Sequence, residues 1–131
     1  MNISYLPLCM IAMLLTSCVA PSTNEVNSNQ LLGTWVGKAP WGESIRLNFN
    51  ADGNVKINVD GHKGDGYYTT DFTKDPIELN INWKDKGIVK TIIRFESANR
   101  LTLVESIPGQ PRPSAFNHMS VNLNRRQILT Y

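Results

Sequence analysis

From Ser44 onward, apolar and polar residues alternate along much of the chain with a period of two. Ile45, Leu47 and Phe49 alternate with Ser44, Arg46 and Asn48. After Asp52-Gly53, Val55, Ile57 and Val59 alternate with Lys56, Asn58 and Asp60. Ile77, Leu79, Ile81 and Trp83 alternate with Glu78, Asn80 and Asn82, and Asp85-Lys86-Gly87 then opens a run from Ile88 to Phe95. Leu101 and Leu103 form another strand and Val121 and Leu123 the last, while Trp35 falls on the first and Tyr67-Tyr68 on the fourth. Successive side chains of a strand point to opposite faces of the sheet, so this alternation marks strands with one dry face and one wet face. Turns rich in Gly, Asn, Asp and Pro separate the runs, and Asp-Gly is a strong hairpin signal. The spacing predicts about eight strands. No stretch has a helical period beyond a short 3₁₀ turn before Gly33.

An open sheet of such strands would leave its dry face uncovered. Closing it into a barrel buries that face and removes the edges, and a sandwich is the competing solution. Short consecutive hairpins favour an up-and-down meander. The expected fold is therefore all-β, an antiparallel meander closed into a small barrel over residues 31–126. Residues 105–118 hold Pro108, Pro111 and Pro113 and are expected to be a loop. The glycine-rich stretch Gly61 to Gly66 is expected to be a turn.

Charge changes the picture at the N-terminus. The first charged side chain is Glu25. Leu6 to Leu15 is a short apolar run, the length of a secretory h-region and too short to span a bilayer. It ends in Leu15-Thr16-Ser17-Cys18, which resembles the bacterial lipobox. The resemblance implies cleavage between Ser17 and Cys18 and a diacylglyceryl group on the Cys18 thiol. Residues 1–17 are then a lipoprotein signal peptide and 18–30 the lipidated cysteine with a flexible tether. Residues 127–131 are a C-terminal tail. Cys9 would leave with the signal, so no free thiol or disulfide would remain. Acyl chains contribute about 0.8 kcal/mol per buried methylene, enough for two or three to hold the protein on a membrane. Val19 follows the cysteine where the familiar inner-membrane retention signal has Asp. The expected location is the cell envelope, at the outer membrane facing the periplasm.

Two further resemblances cover the domain. Gly33-Thr34-Trp35 resembles the Gly-x-Trp signature of the lipocalin-like (calycin) group. It implies that Arg125 or Arg126, after the last strand, packs across the Trp35 indole and plugs one end of the barrel; such a stack is worth roughly 0.5–2 kcal/mol. A broader pattern is similar to small uncharacterised lipocalin-like domains common in planctomycetes. It runs from Leu31 to Trp35 through Gly66-Tyr67-Tyr68, Asp71 to Leu79, Leu101-Thr102-Leu103 and Arg112-Pro113-Ser114-Ala115-Phe116. That family carries no established activity, so no catalytic residue follows from the resemblance.

Candidate chemistry is sparse. A net charge of +2 leaves no basic footprint for nucleic acid. Two cysteines cannot form a four-thiolate zinc site. Gly61-His62-Lys63-Gly64-Asp65-Gly66 has phosphate-loop spacing but is followed by a strand, where that mechanism needs a helix. A metal site from His62, Asp60 and Asp65 would lack an evident fourth ligand. His118 has no evident nucleophile beside it, and the carboxylates fall mostly in turns or on the outer face. The expectation is a non-enzymatic protein without metal or cofactor. Trp41, Tyr67, Trp83 and Phe95 are the candidate lining of a pocket for a small hydrophobic ligand, with Trp41 on its rim. Arg112's loop either forms the opposing rim or crosses an end of the barrel. An envelope protein is the alternative partner.

Overall fold

The structure, a computed structural model, describes residues 27–126. A 3₁₀ turn (Ser28–Leu31) precedes eight strands: β1 (Gly33–Lys38), β2 (Ser44–Phe49), β3 (Asn54–Val59), β4 (His62–Asp71), β5 (Ile77–Trp83), β6 (Gly87–Ser97), β7 (Arg100–Val104) and β8 (Ser120–Arg125). All neighbours are antiparallel and follow chain order. The barrel closes where β8 pairs with β1, with Trp35 opposite Arg125 and Gly37 opposite Leu123. The described chain is thus an all-β, eight-stranded up-and-down barrel. The expected signal peptide, most of the tether and the C-terminal tail lie outside the described residues.

The alternation becomes a shared interior. Trp35, Leu47, Phe49, Val55, Leu79, Ile81, Ile93, Leu101, Val121 and Leu123 are buried in one cluster. Leu31 belongs to the same cluster and is fully buried. Leu31, the expected first residue of the domain, ends the 3₁₀ turn that leads into β1. Asn27 caps the turn, its side chain accepting from the Asn29 amide, as Asn commonly does ahead of a first helical turn.

The glycine-rich stretch differs from expectation. The turn is only Asp60-Gly61, both with positive φ (50° and 89°), the conformation that a two-residue hairpin requires. Asn58 Oδ1 accepts from the Gly61 amide at 2.8 Å and Asp60 Oδ1 from the Ser44 amide at 2.9 Å. His62 to Gly66 already belong to β4. By alternation Gly64 and Gly66 face inward with Tyr68, and they are glycines because neighbours occupy their side-chain space. A Cβ on Gly66 would lie 2.8 Å from Trp83 Cε3, and one on Gly64 would lie 3.1 Å from Ile57 Cγ2.

The segment between β7 and β8 also departs from the expected alternatives. It neither forms a simple rim nor crosses an end; it runs back along the outer wall over β5 and β6. The Gly109 amide donates to Ile88 O at 3.2 Å. Arg112 Nη1 donates to Thr91 O at 2.7 Å and Leu79 O at 3.2 Å, and Nη2 to Asn80 Oδ1 at 2.6 Å. Arg94 lies over the Phe116 ring at 4.4 Å. Ile92 and Val104 occupy outward positions yet are buried, because this strap covers that side of the barrel.

Candidate functional site

The two ends of the barrel are built from different chemistry. One end gathers the start of β1, the end of β8, the 3₁₀ turn and the β6–β7 turn. Trp35 is fully buried there, and its Nε1 donates to Leu31 O at 2.8 Å. The Arg125 guanidinium stacks 4.3 Å from the indole centroid. Its N–H groups donate to Leu32 O, Gln30 O and Ala98 O. One cation thus satisfies carbonyls of two separate segments while covering the indole, and so seals this end. Phe95 meets Trp35 edge-on at 6.0 Å. Phe49 and Tyr68 pack edge-on at 5.0 Å, with the Tyr68 hydroxyl donating to Asn50 O at 2.8 Å. Burial, with the Asp52 charge as a lesser cause, holds the Tyr68 phenol above its usual range.

The opposite end is not sealed in this way. A cavity of about 100 Å³ opens into the barrel between the ends of β2, β3, β5, β6, β7 and β8. Its wall is apolar: Ile45, Leu47, Ile57, Val59, Ile81, Trp83, Val89, Leu103, Val121 and Leu123. Thr91 adds a hydroxyl, but that hydroxyl is spent on Val104 O. A shallower cleft of about 280 Å³ shares Ile57, Val59 and Trp83 and is bordered by His62, Lys84 and Lys86. No β4 residue lines this cavity; Ile57 and Trp83 take the space beside the inward Gly64 and Gly66 and supply part of its wall.

Glu105 and Ser106, just after β7, are polar members of the cavity wall. The Glu105 backbone amide donates to Met119 O at 2.9 Å. Its Oε2 is buried and has no hydrogen-bond partner among the described residues. Gln30 Oε1, at the sealed end, shares this condition. Burial, then the nearby Glu43 charge, pushes the Glu105 carboxyl above the usual carboxylate range. Glu43 in turn accepts a hydrogen bond from Trp41 Nε1 at 3.0 Å. The open end therefore holds a mainly apolar cavity with a partly buried carboxyl beside it.

The candidate lining residues separate. Trp83 borders both the cavity and the cleft. Trp41 lies at the same end in the β1–β2 loop, exposed and outside the cavity wall. Tyr67 and Phe95 do not belong to the pocket. Tyr67 points outward from β4, 53% exposed, with the Lys84 ammonium 5.6 Å from its ring. Its neighbour Tyr68 takes the inward position, and the pleat allows only one of the two inside. Phe95 is inward but sits at the sealed end against Trp35. His62 and His118 are both exposed and neither lines the cavity. Among the described residues no group of three His, Cys, Asp or Glu side chains is placed to hold a metal ion. Ser17 and Cys18 lie outside the described residues. Glu105 escaped the sequence reading because a single carboxylate after a strand looks like an ordinary solvated loop residue. Only the barrel's closure reveals which way it faces.

Comparison of the chain with protein families, with curated proteins and with solved structures finds no match in any of the three.

Proposed function

We propose that this chain is a membrane-anchored lipoprotein whose lipocalin-like barrel is a non-enzymatic binding module for a small apolar ligand. The observation that carries the binding role is the apolar cavity at the one barrel end that lacks the Trp35–Arg125 plug. Its size sets the ligand class. Pockets for drug-sized molecules measure about 300–1,000 Å³, whereas an apolar cavity of about 150 Å³ takes benzene. A space of about 100 Å³ suits a compact apolar group of a few carbons. The anchor rests on the Leu15 to Cys18 box and the uncharged apolar run ahead of it.

Titration with chloroform, a compact apolar probe, followed by tryptophan emission in a Trp41→Phe background that leaves Trp83 at the cavity and Trp35 at the sealed end, tests the binding role. Saturable change in emission supports it, and a flat response up to the solubility limit removes it. Mass spectrometry of the mature N-terminus tests the anchor separately: a diacylglyceryl-modified Cys18 supports it, and an unmodified Met1 contradicts it.

Protein docking at the same end is the second reading. Trp41 (44%), Ile88 (47%) and Ile107 (61%) are large exposed apolar residues, all carried by loops or strand starts at the open end. A stoichiometric envelope partner that co-purifies from detergent-solubilised membranes, and is lost on Trp41→Ser, would favour this reading.

A further inference from the structure

We propose that the apolar group in the cavity is the end of a straight-chain amphiphile, whose next few carbons and polar head lie in a notch in the barrel wall beside it. This rests on the apolar-ligand reading and names the shape of that ligand. The notch follows from strand register. His62 to Asp65 of β4 pair with β3, whereas pairing with β5 starts only at Gly66 opposite Trp83. The Lys84 amide donates to Asp65 O at 3.4 Å. Beyond that contact the chain turns through Lys84-Asp85-Lys86, and β6 begins at Gly87. One strand of the wall thus ends early at this mouth, and the cleft of about 280 Å³ occupies that place. The cleft shares Ile57, Val59 and Trp83 with the cavity. By alternation these three side chains point inward, yet each is only half-buried, whereas Val55 and Leu79 on the same strands are fully buried. Their apolar surface is open to an occupant that runs from cavity to cleft.

The chemistry of the lining changes along that course. The cavity wall is mainly aliphatic, while the cleft adds His62, Lys63, Lys84 and Lys86 together with Asp65 and Asp85. All six are exposed. Side chains of both signs suit a hydrated polar head and offer no cover for a hydrocarbon end. Gly64 also lines the cleft, and a Cβ there would lie 3.1 Å from Ile57 Cγ2, so the missing side chain keeps the space beside Ile57 clear. A rounded hydrocarbon would fill the cavity and leave the cleft side of Trp83 wet. A chain covers both.

Calorimetric titration of the purified protein at neutral pH with n-butanol, n-hexanol and n-octanol tests this, because the three share a head group and differ only in chain length. Complete burial of a methylene is worth about four-fold in affinity. The cleft is open on one side, so each carbon beyond butanol is expected to tighten binding about two- to three-fold, at one molecule per chain. Backbone amide shifts in NMR locate the head. Octanol is expected to move His62 to Asp65 and Lys84 to Lys86, which butanol leaves unmoved. Affinity that stops rising after butanol overturns the proposal and leaves the cavity reading intact. So does a rise in which the octanol shifts gather instead at Trp41 and Ser106, across the mouth from β4 and β5 in the strand order. Absence of saturable binding by all three alcohols overturns the amphiphile proposal and the cavity reading together.

Discussion

The sealed and open ends of this barrel share strands, registers and alternation, yet they differ in what fills the axis. At the sealed end one indole, one guanidinium and two aromatic contacts occupy the space, and backbone carbonyls of three residues converge on Arg125. At the open end aliphatic side chains and Trp83 surround a cavity of about 100 Å³, while Ile57 and Trp83 pack against the inward glycines of β4. A barrel of eight strands is just wide enough for side chains to fill it or to hold one small ligand. Side chains fill this barrel at one end and leave an apolar-walled cavity at the other. The proposed binding role and the aromatic seal thus fall at opposite ends of the same β-sheet.

Substitutions can separate these roles. Trp35→Ala is expected to have the largest effect, a loss of about 3–5 kcal/mol in urea unfolding, the usual cost of removing a buried aromatic side chain. Arg125→Met keeps most of the apolar stem but removes the stacking cation and its N–H donors. Its expected cost is about 2–3 kcal/mol, from the stack and the carbonyls left without partners. A value near zero would show that the guanidinium is not the seal. Overpacking should distinguish the ends by the size of its cost. Val55→Phe, at a fully buried site beside Phe49 and Gly66, is expected to cost about 1–3 kcal/mol. Val89→Phe, on the cavity wall, is expected to cost less than about 1 kcal/mol and to abolish chloroform binding. Equal costs at both positions would mean that the cavity is not usable space.

The smallest expected effect concerns pH. Burial and Glu43 raise the Glu105 carboxyl in the folded protein, so the native state holds this proton where the unfolded chain has released it. Stability then falls as pH rises from the ordinary glutamate range through the raised folded value, and the penalty is complete above it. Glu105→Gln should remove that slope and raise the urea midpoint at neutral pH relative to the unsubstituted protein. The difference between the two midpoint curves, measured from about pH 4 to about pH 8, isolates this group. Parallel curves would place the Glu105 carboxyl in ordinary solvent.

The architecture was legible in the sequence because strand burial is written with a period of two. Ile45 to Phe49, Val55 to Val59 and Ile77 to Trp83 each declare a dry face, and their burial in one cluster follows from that. The site was only partly legible. Periodicity can place Trp83 inside, but it cannot choose between Tyr67 and Tyr68 when both are aromatic. Nor does it say at which end of the axis Phe95 lies relative to Trp83. That depends on strand direction: Phe95 lies near the end of β6 and Trp83 ends β5, and the two strands are antiparallel, which puts them at opposite mouths. Gly64 and Gly66 read as a turn because glycine is ordinarily a turn residue. Their actual reason is close approach by Ile57 and Trp83, which is a property of neighbouring strands. The strap was hidden for a similar reason. Three prolines announce an irregular segment, but its course is decided by distant partners of Arg112 on β5 and β6.

The central claim is tested most directly by methyl-resolved NMR during chloroform titration. Saturable shifts are predicted at Leu47, Val59, Val89, Leu103, Val121 and Leu123, with Leu31 and Val55 at the sealed end unmoved. Shifts spread equally over both ends, or confined to surface methyls such as Ile88 and Ile107, would contradict the account.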